Sequence, residues 1–400
     1  MTKARILADY VAGGTTATEF DYMDGVTSNV QTQLDAKLAL AGGTMTGDLV
    51  PATPLSHRNM IINGGMQVWQ RATSAVTATT TYNTADRWRL YDPSSGSYTS
   101  EKHTMSAAEL NTTGQRHALK LACTGVSSAG SGDHAYFYQP FEGQDCQRLL
   151  YGTANAKTVT LSFWVKSTIT GTYCVSVYVD AASNYQVAKE YTISSADTWE
   201  YKTITITPTE GSTSLITSSG GLFDDNTSQA LLLYFFLVSG SSIEGAANEW
   251  GTGGTRYSTS GQVNWLSNTS NRFYITGIQL EEGSNATPFE HRTYGDELLR
   301  CKRYYQRKQG GISNGQANPS GVVYGVISYE EMRAAPTITS WGTLYWNDGS
   351  AQSSQGYNVA YWISTIGCSV GYTGTASANR PMTVYSAVSG NNGLALDAEL

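Results

Sequence analysis

Adjacent carboxylates are the residues of this 400-residue sequence that most readily suggest chemistry: Asp224/Asp225, Glu281/Glu282, Asp296/Glu297 and Glu330/Glu331. Cleavage of a glycosidic bond needs two carboxyl groups facing each other across a substrate. Neighbours on a strand point to opposite faces instead. Solvated acids account for each pair, and Asp296 falls where a helix cap is expected. Gly311-Ile312-Ser313-Asn314-Gly315 has the spacing of a nucleophile elbow, which needs a strand before it and a helix after it. Here a helical stretch precedes it and Pro319 follows, so Ser313 is not read as a nucleophile. No catalytic residue is assigned, and the chain is read as a non-enzyme. His57, His103, His117, His134 and His291 are scattered, with no H-x-H or HExxH spacing for a transition metal. Asp224, Asn226 and Ser228 place oxygens at alternate positions and form the candidate site for a structural calcium. An ordinary polar turn is the competing explanation, and no other cofactor is implied.

Aromatic side chains offer a different chemistry. A sugar presents apolar C–H faces that stack on rings, while amides, acids and Arg pair with its hydroxyls. Trp341, Tyr345, Trp346, Tyr357, Tyr361 and Trp362 concentrate such rings near the C-terminus and are the candidate glycan-binding residues. Rings with a polar end also suit cores and subunit contacts, which is the alternative for these positions. Trp69 and Trp88 read as core residues. Arg71, Asp86 and Arg87 read as a buried ion cluster, with a polar site as the alternative.

The elements that must carry these residues are strands. With 41 Gly, 26 Tyr and only 14% charged residues, helix formers are scarce and β-formers common. The net charge of −7 opposes a nucleic-acid footprint. The sequence lacks an apolar run of about 18 residues, so no membrane insertion is expected. Leu231 to Val238 reads as a buried strand. The opening MTKARILADYVAGG lacks the apolar centre of a secretory signal. The 5 cysteines are widely spaced and odd in number, which favours reduced thiols.

Three regions follow from the patterning. Residues 1–54 carry one narrow helical stripe, Met23, Val26, Val30, Leu34 and Leu38, followed by Met45 and Leu49 in a Gly-rich stretch. So thin a stripe needs partner helices, either on its own domain or on sister chains. Residues 55–290 hold many short strands separated by Gly, Asn and Ser turns, the pattern of a sandwich or jelly roll. Within them Tyr274, Thr276, Ile278 and Leu280 alternate onto one strand face. Residues 291–400 open with a helix capped by Thr293 and Asp296, with Leu298, Cys301 and Tyr305 on one side. A loop at 310–321 and further strands at 322–341, 343–346, 358–372 and 382–388 complete a small β domain. The fold class is mainly β: a short N-terminal helical or shaft segment, a central jelly-roll β-sandwich and a small C-terminal β-sandwich.

The run LEEGSNATPFEHRTYGDELLRCKRYYQ, from Leu280 to Gln306, resembles a segment of bacteriophage tail fibre proteins. There it closes one module and opens the C-terminal one. GGTMTGDL (Gly42 to Leu49) resembles the shaft of trimeric phage fibres. NMIINGGMQVWQR, VTLSFWVKS, WEYKTITITP and FYITGIQLEEG follow the order of landmarks in jelly-roll carbohydrate-binding modules. The resemblance implies a homotrimer in the virion tail fibre. Met23, Val26, Val30, Leu34, Leu38, Met45 and Leu49 would line its axis. The N-terminus would be held by a phage tail or baseplate protein. The receptor would be a host surface polysaccharide such as lipopolysaccharide, bound for adsorption. A tailspike-like polysaccharide depolymerase and a purely structural neck or capsid fibre are the alternatives.

Overall fold

Alternation of apolar and polar side chains builds the molecule. In Gly171–Asp180, Tyr173, Val175, Val177 and Val179 are buried in the main core while the residues between them face outward. The structure is a computed structural model that describes residues 56–91, 95–252, 257–317, 322–341, 344–347, 352–373, 381–386 and 393–400. The described residues all belong to one compact unit, Thr53–Leu400. Met23, Val26, Val30, Leu34, Leu38, Met45 and Leu49, expected to drive self-association, lie outside the described residues.

Two antiparallel six-stranded sheets form a β-sandwich. The first orders β1 (Val76–Thr77), β3 (Ser97–Thr104), β4 (His117–Gly125), β12 (Arg272–Glu282), β6 (Val159–Ser167) and β9 (Glu200–Ile206). The second orders β11 (Gly251–Thr252), β8 (Asn184–Ile193), β7 (Gly171–Asp180), β10 (Gln229–Ser239), β5 (His134–Glu142) and β2 (Arg89–Tyr91). Helix α1 (Ala107–Thr113) carries a capping box between Ser106 and Glu109, and α2 (Gly143–Cys146) follows β5. Between the sheets Phe137 and Phe235 stack with centroids 5.0 Å apart, and Trp88 meets both edge-on. Truncating either phenylalanine to Ala would cost about 3–5 kcal/mol in lost burial and cavity.

The expected face in β12 is corrected by a bulge. The register slips between Thr276 and Gln279, at Gly277 with φ +61°. Phe273 and Ile275 enter the core before the bulge, and Ile278 and Leu280 after it. Tyr274 and Thr276 therefore point the other way, because one extra residue inverts a period of two.

Helix α3 (Tyr294–Lys302) is capped as expected, with Thr293 Oγ1 accepting from the Asp296 amide. It stops before Tyr305, which begins a strand rather than extending the helix face. The C-terminal region is β, as expected. One three-stranded sheet orders β13 (Tyr305–Lys308), β21 (Gly393–Asp397) and β16 (Thr337–Trp341). A closed barrel orders β14 (Gly311–Ala317), β15 (Val322–Ser328), β19 (Gly367–Thr373), β18 (Gln352–Tyr361), β17 (Leu344–Asn347) and β20 (Pro381–Ser386). The stretch expected as a loop after the helix is thus largely barrel strand β14. Among the described residues no helix is long and apolar enough to cross a membrane.

Candidate functional site

The outward face of the second sheet is made by the residues that alternate with its core. β2 contributes Arg89 and Tyr91 beside buried Leu90, and β5 contributes Tyr136 and Tyr138 beside Phe137. β10 adds Leu232, Tyr234 and Phe236, and β7 adds Ser176, Tyr178 and Asp180. Register aligns them: Tyr234 lies opposite Tyr138 on one side and Ser176 on the other. Tyr178 lies opposite Gln186 of β8. Tyr257 adds a further ring to this face.

The rings form one connected surface. Tyr91 stacks on Tyr136 at 4.6 Å and on His134 at 5.0 Å. Tyr138 stacks on Tyr234 at 5.0 Å, and Tyr257 stacks on Tyr178 at 6.0 Å while meeting Tyr234 edge-on. Tyr138, Tyr234 and Phe236 are buried at its centre; Tyr91, Tyr136, Tyr178 and Tyr257 are half-buried around them. Burial pushes the phenols of Tyr136, Tyr138, Tyr234 and Tyr257 above their ordinary range. Burial, then Tyr257 and Asp180, takes Tyr178 up to about 12. Every one of these hydroxyls is neutral near pH 7 and can both donate and accept. Arg89 sits 5.7 Å from the Tyr138 ring centroid, and Asp180 accepts from Gln229 at 3.0 Å. Ser176 Oγ and both amide atoms of Gln186 are buried without a protein partner. Such a face offers apolar planes for C–H stacking and neutral polar groups for hydroxyls.

The C-terminal candidates lie elsewhere. Tyr345 is half-buried and stacks on Tyr385 at 5.7 Å. Trp362 is 85% exposed in the turn after β18, with φ +49°, in a stretch that also exposes Ile363 and Ile366. Trp341, Trp346, Tyr357 and Tyr361 belong to β16, β17 and β18, and their side chains lie outside the described residues. None of these residues belongs to the tyrosine face. Its own signal in the sequence was phase rather than density: in HAYFYQPF, CVSVYVD and LLLYFFLV each outward tyrosine alternates with core residues.

The remaining candidates make local contacts. Asn226 Oδ1 accepts from the Ser228 amide at 2.8 Å, and the carbonyls of Asn226 and Ser228 accept from the first amides of α2. Among the described residues no group of three or more His, Cys, Asp or Glu is placed to hold a metal. Ser313 lies within β14, its Oγ 3.4 Å from the Tyr372 hydroxyl, with no elbow around it. Glu281 is buried and accepts from Gln279 and Thr287. Arg71 and Arg87 do form an ion cluster, both pairing with Glu399, while Asp86 accepts from Gln70.

No family model matches this sequence, and no curated protein does. Solved structures match this chain only at low similarity. The enzymatically active domain of bacteriophage CBA120 tailspike protein 4 matches with a TM-score of 0.28 and 12% identity, over 56% of this chain and 21% of that one. A family 11 carbohydrate-binding module of a Clostridium thermocellum cellulase matches with a TM-score of 0.25 and 12% identity, over 54% and 98%. A xylan-binding domain from Paenibacillus barcinonensis matches with a TM-score of 0.24 and 9% identity, over 54% and 99%. The chain spans about a fifth of the tailspike it matches. Scores this low carry no function across, so the ring face itself must say what it can hold.

Proposed function

We propose that this protein binds a neutral stretch of cell-surface polysaccharide on the outward face of the second sheet, without cleaving it. The observation that carries the reading is the connected set of stacked tyrosines with un-ionised hydroxyls, rimmed by Arg89 and Asp180. Strands about 4.8 Å apart make β2, β5, β10, β7 and β8 roughly 19 Å across, long enough for several sugar rings. The segment Leu280 to Gln306 supports a phage tail fibre as the setting, with host adsorption as the purpose and a homotrimer as the assembly. Three copies would multiply weak single contacts through effective concentration. Exposed Trp362 at the barrel turn is a second, separate contact for the same receptor.

The test is binding of the full chain to a panel of soluble glucan, mannan, galactan and lipopolysaccharide-derived O-polysaccharide. At least one should bind, and Tyr136→Ala or Tyr178→Ala should weaken it by about tenfold. Unchanged affinity in both variants would place binding elsewhere, and progressive shortening of the bound polysaccharide would make the protein a depolymerase.

A further inference from the structure

A recess opens between the segment after Ile61, the ends of β3 and β4, and the start of α3. It encloses 380 Å³ and is lined by Trp69, Lys102, Gln115, Arg116, His117 and Tyr294 among others. Its charge is one-sided. No carboxylate is among its lining residues, although the chain carries a net charge of −7. Elsewhere on the first sheet Lys120, Lys166 and Lys202 each pair with an acid, respectively Glu101, Glu109 and Glu200. Among the described residues Lys102 Nζ donates to the Gln67 carbonyl at 3.4 Å, and neither Lys102 nor Arg116 makes an ion pair. Burial, followed by the nearby Lys102, Arg116 and His103, drives the His117 imidazole down to about 4. The His117 Nδ1 atom is buried without a partner.

The walls suit a sugar rather than a bare ion. Trp69 spends its indole N–H on the Met66 carbonyl at 2.8 Å, leaving the ring plane as its contact surface. Tyr294 is 56% exposed at the mouth, and Gln115 is held against Gly65 and Gly277 with its amide facing the bulge of β12. We propose that this recess binds an anionic saccharide unit, its carboxylate or phosphate between Lys102 and Arg116 and its ring against Trp69. The proposal rests on the glycan-binding reading, but it uses a different surface and a different chemistry from the tyrosine face.

Calorimetry on the full chain separates the two. The probes are tetragalacturonate, its fully methyl-esterified form, which keeps the rings and loses the charge, and mannose 6-phosphate. Either anionic probe should bind at least about tenfold more tightly than the ester and lose that advantage in Lys102→Gln/Arg116→Gln. Tetragalacturonate alone would assign a uronate, and mannose 6-phosphate alone a phosphorylated sugar. The double variant should keep the wild-type melting temperature and its affinity for the neutral polysaccharide, while Tyr136→Ala should keep the anionic site. Equal binding of acid and ester, or no effect of the double variant on either anionic probe, overturns the inference and leaves the tyrosine face standing. Loss of neutral binding in Tyr136→Ala is read independently, so a failed tyrosine face does not disturb this outcome.

Discussion

Single side chains set what each surface can recognise. On the tyrosine face the ring and the hydroxyl are separable: Tyr136→Phe keeps the plane that stacks on Tyr91 and should retain most affinity, whereas Tyr136→Ala should lose about tenfold. Titration of the polysaccharide into both variants checks this. His117 has a separate signature. Its folded-state value falls from 6.5 to about 4 through burial and neighbouring cations, so the folded state refuses a proton that the unfolded chain accepts. The stability it contributes is complete above pH 6.5 and is lost as the pH falls toward 4. Thermal unfolding across that window should be steeper for the wild type than for His117→Asn. The tyrosine face proposed for a neutral glycan was legible in the sequence only through alternation. Tyr136, Tyr138, Tyr178 and Tyr234 each sit one position from a core residue, whereas the density of rings drew attention to Trp341 through Trp362.

At the level of elements, the recognisable motifs turn out to fasten strands. Asn59 donates to the Ile278 carbonyl and accepts from the Ile61 and Leu280 amides, joining the first segment to β12. Asn63 accepts from the amides of Gln67 and Val68 and donates to the Asp86 carbonyl. Glu290 accepts from the amides of Arg58 and Asn59, and Arg292 pairs with Glu290 and Glu297. Gly64 lies so close to the bulged strand that a Cβ there would stand 2.1 Å from the Ile278 carbonyl oxygen. Gly64→Ala should therefore destabilise the sandwich by about 1–3 kcal/mol, measurable by urea unfolding. Strand positions were readable because side-chain periodicity is local. The bulge at Gly277 was not, since a slip of register depends on the partner strand β6. The barrel strand β14 was missed for a similar reason: GISNGQA has little apolar content, and its pairing with β15 and β20 supplies the structure.

For the unit spanning Thr53–Leu400, one charged joint couples sandwich and C-terminal strands. Arg87 stacks over Tyr304 at 3.4 Å and Arg71 over Tyr305 at 3.6 Å, while both reach the buried carboxylate of Glu399. Arg303 grips the fully buried Glu142 through two hydrogen bonds, and the Tyr304 hydroxyl donates to the same carboxylate. Glu399→Ala would leave two buried guanidinium groups short of their counter-charge. A loss of about 3–5 kcal/mol is expected, with the two β bodies unfolding in separate steps by calorimetry. The Arg-Tyr-Tyr run at 303–305 is thus part of this joint. Assembly is tested independently by sedimentation of the full chain, for which three copies are expected. The most direct measurement for the tyrosine face is hydrogen–deuterium exchange of the full chain with and without the best-binding neutral polysaccharide. Protection is expected in β5, β7, β10 and the segment around Tyr257; protection confined to residues 337–386 would contradict the assignment.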